Sequence, residues 1–230
     1  MIMSFKENLY LNFIKEDRYM YLIRGLGNTL LITIVAVVVG ILLGFLLAYI
    51  RSTHDKTGKW KIANLIAHVY ITVIRGTPMV LQLLIVYFVI FASVNIPKII
   101  VAFIAFGLNS AAYVAEIIRA GIMSIDEGQF EAGASLGFSY TQTMMYFILP
   151  QAIKNVLPAL GNEMIVLLKE TSVAGYIAMD DLTRGADIIR SQTYSAFMPL
   201  LMAAAIYLFF VLIFDSLVKK LERNLKNSDH

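Results

Sequence analysis

Charged residues vanish from three stretches of this chain, 25–50, 76–97 and 191–214. These hold 26, 22 and 24 residues, and a helix rising 1.5 Å per residue needs about 20 to cross roughly 30 Å of hydrocarbon. A fourth segment, from Lys98 to about Ala120, carries no charge after Lys98 except Glu116 and Arg119 near its end. A fifth, 144–169, is interrupted by Pro150, Lys154, Pro158, Gly161, Asn162 and Glu163, so hydropathy alone passes over it. Prolines leave backbone carbonyls unpaired, and such a helix persists in a membrane only inside a bundle or beside a wet cavity. The pattern predicts an all-α integral membrane protein with five spans, at about 25–50, 78–97, 98–120, 144–169 and 192–216.

The polar segments between the spans set the organisation. Residues 1–24 mix Phe13, Ile14, Tyr19, Tyr21 and Leu22 with Lys15, Arg18 and Arg24, which reads as an amphipathic segment lying on the membrane surface. Residues 25–219 form the transmembrane domain, and 220–230 a basic cytoplasmic tail. In the first span Gly40 and Gly44 make a G-x-x-x-G step that admits a neighbouring helix closely. The basic stretch 51–61 reads as a cytoplasmic loop. An apolar run over 62–97 is too long for one upright helix and breaks best at Arg75-Gly-Thr-Pro78. There Thr77 can cap and Pro78 suits the first helical position. Glu116 and Arg119, three apart on one helix face, read most simply as a local ion pair, with a direct substrate role as the alternative.

The longest amphipathic interruption is 122–143, two short helices meeting at a glycine. Ser124-x-x-Glu127 fits a capping box, with Asp126 as the alternative cap, and Ser139-x-x-Gln142 fits a second. Gly137 can take the left-handed conformation that ends the first helix. Ala132, Gly133, Ala134 and Ser135 are all small, so an opposing surface could approach closely. Glu131, read as near the helix start, suits the dipole there.

Composition narrows the function further. The chain is 59% hydrophobic and 15% charged, with a net charge of +3 that membrane-proximal basic residues account for without nucleic acid. It has no cysteine, which excludes disulfides, thiolate metal sites and cysteine nucleophiles. Gly58-Lys59 fails the Walker pattern, because Thr53 and Trp60 stand where glycine and Ser/Thr belong. The three histidines are scattered. No catalytic residue, metal site or cofactor is expected, and no early apolar run suggests a cleavable signal.

The stretch EAGASLGFSYTQTMMYFILP (131–150) resembles the cytoplasmic coupling motif of ATP-binding-cassette importer permeases: E-A-A, three residues, G, nine residues, I-x-L-P. Glu131, Ala132, Gly137, Leu149 and Pro150 match in register; Gly133 and Phe147 depart from it while staying small or apolar. Arg75-Gly-Thr-Pro78 with Gln82, the string from Asn109 to Arg119, and Leu168-Lys-Glu-Thr-Ser172 are similar to the polar-amino-acid branch of that family. Glu170 stands where the branch often has aspartate.

The resemblance implies a type I importer permease, one half of a translocation pathway. Its expected partners are a second permease subunit, the same or homologous, two ATPase subunits, an extracellular or periplasmic binding protein and an amino acid substrate. It also implies that Glu131, Ala132, Gly133, Ser135, Leu136, Gly137 and Phe138 contact the ATPase. Five spans with the 122–143 knob in the cytoplasm place the N-terminus outside and the C-terminus inside a cell membrane. Glu163 falls 13 residues beyond Pro150, roughly 20 Å deeper, and an intramembrane acid marks a functional site. It is the centre of an expected substrate pocket with Asn109, Gln82, Glu170 and Thr171, the alternative being that Glu163 pairs with Lys154 or a helix terminus. A permease for another small solute, or a membrane scaffold that recruits an ATPase without transporting, is the alternative.

Overall fold

The computed structural model describes residues 4–227, and every regular element among them is a helix. Ser4 and Glu7 form a capping box that starts α1 (Phe5–Leu9). A π-helical turn follows at Tyr10–Ile14. The chain then passes through left-handed Glu16 and Asp17 into α2 (Tyr19–Thr57), 39 residues long. The first long helix thus begins inside the segment read as lying on the surface, and residues 1–3 lie outside the described residues. It also continues through the stretch read as a basic loop. Charge does not interrupt a helix; α2 stops only where Gly58 (φ 67°) and Trp60 (φ 58°) turn left-handed.

The break expected at the Arg-Gly-Thr-Pro string is present. α3 (Lys61–Arg75) ends at the string, and α4 (Met79–Ile85), which runs on as a π turn to Ile90, starts after it. The capping differs from the expectation. Pro78 is the N-cap residue, and the Thr77 hydroxyl instead accepts a hydrogen bond from Gln82 Nε2 at 2.9 Å. α5 (Lys98–Met123), α6 (Glu127–Ser135) and α7 (Tyr140–Thr143) follow, then α8 (Leu149–Glu170), α9 (Leu182–Thr193) and α10 (Phe197–Asn227). α10 carries the basic tail as continuous helix to Asn227; residues 228–230 are outside the described set.

Helices α2, α5 and α10 are long and apolar enough to cross a membrane, and the interrupted pair α3–α4 is a fourth candidate. α8 is 22 residues long with Pro158 inside, about 33 Å at helical rise, but Lys154, Asn155, Asn162 and Glu163 make it less apolar than those helices.

The chain folds as two compact units. The first comprises residues 4–37, 77–107 and 164–214, and the second 38–76, 108–163 and 215–227. In the first, Ile32, Leu83, Val101, Phe106 and Leu167 are fully buried in one cluster, while Phe13, Leu22, Leu182 and Ile189 pack in another. In the second, Ala48, Val114, Met144 and Ile148 centre one cluster, and Ala112 and Ala115 another. Lipid offers helices no hydrophobic drive to associate, so close approach through small residues has to supply the packing. The G-x-x-x-G step of α2 serves this end. A Cβ at Gly44 would lie 2.7 Å from Val114 Cγ1, and one at Gly40 would overlap the Ser110 side chain.

Candidate functional site

The 122–143 segment builds its shape from local chemistry. Asp126 is the N-cap of α6, its Oδ1 accepting from Gly128 N at 2.7 Å; Ser124 instead donates to Gly121 O. Of the two caps weighed for this helix, aspartate takes the role. α6 ends in a full Schellman turn: Phe138 N–H donates to Gly133 O and Gly137 N–H to Ala134 O, each at 3.0 Å, with Gly137 at φ 84°. Ser139 and Gln142 then form the expected capping box that starts α7.

Two details of the knob depart from the sequence reading. Because α6 begins at Glu127, Glu131 is its fifth residue and lies beyond the first turn, where the dipole is felt. Gly133 is buried and faces α7, where a Cβ would lie 2.5 Å from Thr143 Oγ1. Its small size therefore serves packing within the knob. The outward face is Glu131, Ala132, Ser135, Leu136 and Gly137, all exposed, with Leu136 at 74%; Phe138 is half-buried and meets the Phe147 ring edge-on.

The knob is tied to the last turns of α2. Lys56 pairs with Glu127 and stands over the Phe130 ring; Phe130 stacks on Tyr140 with centroids 6.0 Å apart; Tyr140 Oη donates to Ser52 O at 3.2 Å. None of these contacts has a local sequence signal.

Two of the motif strings also meet. Arg75 Nη1 lies 3.5 Å from Glu116 Oε2 and its guanidinium faces the Tyr113 ring, 5.5 Å from the centroid. The expected Glu116–Arg119 pair is present at 3.3 Å, and Arg119 also reaches Asp55 at 3.8 Å. The local pair is part of a network that draws α2, α3 and α5 together.

The five residues expected to gather in a substrate pocket fall in both units. Asn109, 2% exposed, and half-buried Glu163 belong to the second. Gln82, Glu170 and Thr171 belong to the first. Gln82 uses its amide N–H groups on Thr77, and Thr171, fully buried, donates its hydroxyl to Leu168 O at 2.7 Å. Both side chains therefore bond within their own stretch of chain.

Asp181 was missed. It is fully buried, caps α9 by accepting from Thr183 and Arg184 N–H at 3.0 and 3.1 Å, and is followed by Leu182 N–H donating to Thr29 Oγ1. Burial pushes its carboxyl up to about 6, although the cap hydrogen bonds pull the other way. An aspartate directly before an amphipathic run is a start signal that could have flagged it.

A family of membrane proteins described as the inner membrane component of binding-protein-dependent transport systems matches residues 40–227. The chain belongs to that family. Two relatives are transport permeases of similar length. The arginine transport system permease protein ArtQ of Bacillus subtilis (strain 168) is 42% identical over 91% of this chain and 94% of its own. The putative glutamine transport system permease protein GlnP of Rickettsia typhi (strain ATCC VR-144 / Wilmington) is 39% identical over 90% and 94%. Among solved structures, an amino acid ABC transporter crystallised with histidines superposes with a TM-score of 0.84 at 44% identity, covering 97% of this chain and 100% of that one. These transport-system components are permease subunits, not enzymes, and the all-helical type I importer permease fold expected from the sequence holds.

Proposed function

We propose that this chain is the permease subunit of an ATP-driven importer for polar amino acids. The observation that carries the reading is α6: an exposed helix ended by left-handed Gly137 and followed by a capped return helix, at the residues that match the coupling motif. The relatives named for arginine and glutamine transport support the substrate class. Five spans then come from α2, the interrupted α3–α4 pair, α5, α8 and α10. The knob and C-terminus face the cytoplasm, with the N-terminus outside. Two such subunits enclose a pathway, two ATPases dock on the two knobs, and a binding protein delivers substrate from outside. The permease converts ATPase closure into a change of access.

Within the expected pocket, Glu163 is the intramembrane acid on the proline-containing helix α8, with Asn109, Gln82, Glu170 and Thr171 as the other candidate substrate contacts. A carboxylate would receive the substrate's ammonium or basic side chain. The test is ATP-dependent uptake of labelled arginine and glutamine into vesicles holding the assembled transporter, against a sugar and phosphate. Accumulation of amino acids that Glu163→Gln abolishes or re-specifies supports the reading. ATP hydrolysis without accumulation of any solute points to a scaffold, and accumulation of the sugar or phosphate alone contradicts the substrate class.

A further inference from the structure

In the second unit, α2, α3 and α5 line an open cavity of about 510 Å³ whose walls include Arg51, His68, Arg75, Glu116 and Arg119. Its charges do not balance. Glu116 is shared by Arg75 and Arg119, and Arg119 also takes Asp55. Among the described residues Arg51 has no carboxylate partner. Its Nη1 donates to His68 Nδ1 at 2.6 Å, and its Nε is buried without a hydrogen bond. Three guanidiniums thus face two carboxylates, and the surplus lies at Arg51. The ligand this arrangement recognises is an anion with several oxygens, because the guanidinium fork matches such groups. A zwitterion fits poorly, since both acids that could hold its ammonium are already engaged.

The outer face of α3 says what the anion is attached to. Ile62, Leu65, Ile66, Val69 and Val73 fall on one helical stripe and are each more than half exposed. His68, Thr72 and Arg75 form a row about a third of a turn away, at 100° per residue, and line the cavity. At the α2–α3 turn Trp60, half exposed, meets Tyr49 edge-on at 5.7 Å, between exposed Lys59 and Lys61. Tryptophan and tyrosine flanked by lysines mark the headgroup level of a membrane. Arg51 is two residues from Tyr49.

We propose that this cavity is a binding site for the phosphate of an anionic phospholipid, whose acyl chains lie along the apolar stripe of α3. Basic cavities between membrane helices take such headgroups. The site is independent of which solute is transported.

Native mass spectrometry of the purified, delipidated full-length permease tests it, with phosphatidylglycerol or phosphatidylcholine added back and inorganic phosphate as competitor. Phosphatidylglycerol should be retained in preference to phosphatidylcholine, and Arg51→Gln should weaken that retention about fivefold, the effect of one basic residue at a membrane surface. Val69→Ser, a small neutral change on the exposed stripe, should weaken it as well; this variant decides the matter if Arg51→Gln does not fold. Equal retention of the two lipids, or unchanged retention in both variants, overturns the proposal. Displacement of bound lipid by millimolar inorganic phosphate makes the cavity a free-anion site and overturns the lipid assignment. The readout uses the permease alone, so it is separate from any failure of transport.

Discussion

Lys56, in the last turn of α2, stands over the ring of Phe130 in α6, its Nζ 5.1 Å from the centroid. The same amine pairs with Glu127, whose side chain is 79% exposed. An exposed ion pair contributes at most about 1 kcal/mol, whereas Phe130 adds to its cation contact, worth about 1 kcal/mol, packing against the buried cluster that includes Ala48 of α2. The ring, not the ion pair, holds the knob to α2. Phe130→Ala should therefore lower the melting temperature in detergent and reduce uptake more than ATP hydrolysis. Glu127→Gln should leave both near wild type. Thermal melts alongside coupled uptake and ATPase assays decide, and a larger effect of Glu127→Gln would reverse the assignment.

Gly133 and Gly137 are both required to be glycine, for different reasons. At Gly133 the obstacle is the Thr143 side chain, 2.5 Å from a Cβ. At Gly137 the space is open, and the cost is the left-handed backbone at φ 84°, about 1–2 kcal/mol for a residue with a Cβ. Gly133→Ala should be rescued by Thr143→Ala, and no trimming of a neighbour should rescue Gly137→Val. Co-purification of the ATPase with each variant reads this out. Failure of the Gly133→Ala, Thr143→Ala pair to recover would show that the helix contact is not the reason.

Asp181 makes the cap of α9 sensitive to pH. Its carboxyl is pushed from 3.8 to about 6 by burial, so the protonated form is favoured in the fold. The stability this group contributes is present below about pH 4 and lost as pH rises through about 6. Tyr207 is the titratable group that faces it, and Arg184, whose backbone N–H donates to it, pairs its side chain with Asp180. Asp181→Asn keeps an acceptor for the cap and removes the buried charge. Its melting temperature should exceed wild type at pH 7.5 and converge with it near pH 4.5. Asp181→Leu, which loses the cap, should be lower throughout. A parallel pH profile for wild type and Asp181→Asn would mean that the carboxyl is not the titrating group.

Features written in a few adjacent residues were legible before the structure: the break at 75–78, left-handed Gly137, the Ser139–Gln142 box and the close-packing Gly40 and Gly44. Helix ends were less so. A charge-free run measures hydrocarbon, and α2 extends beyond it at both ends because Arg24 and Arg51 are sound helix residues. Glu131 was placed too near the helix start because Glu127, not the motif's first residue, opens α6. The side-chain ties were illegible: Arg75 with Glu116, Lys56 with Phe130 and Leu182 with Thr29 join positions tens of residues apart, which no periodicity encodes.

The most direct test of the account is the reactivity of one cysteine at position 136. Leu136, exposed at the end of α6, replaced as Leu136→Cys on this cysteine-free chain, would carry a single thiol on the face assigned to the ATPase. With a membrane-impermeant maleimide, the account predicts reaction in inside-out vesicles, none in intact cells, and strong protection once the ATPase subunits are bound. Labelling from outside intact cells, or an unchanged rate with the ATPase in place, would contradict it.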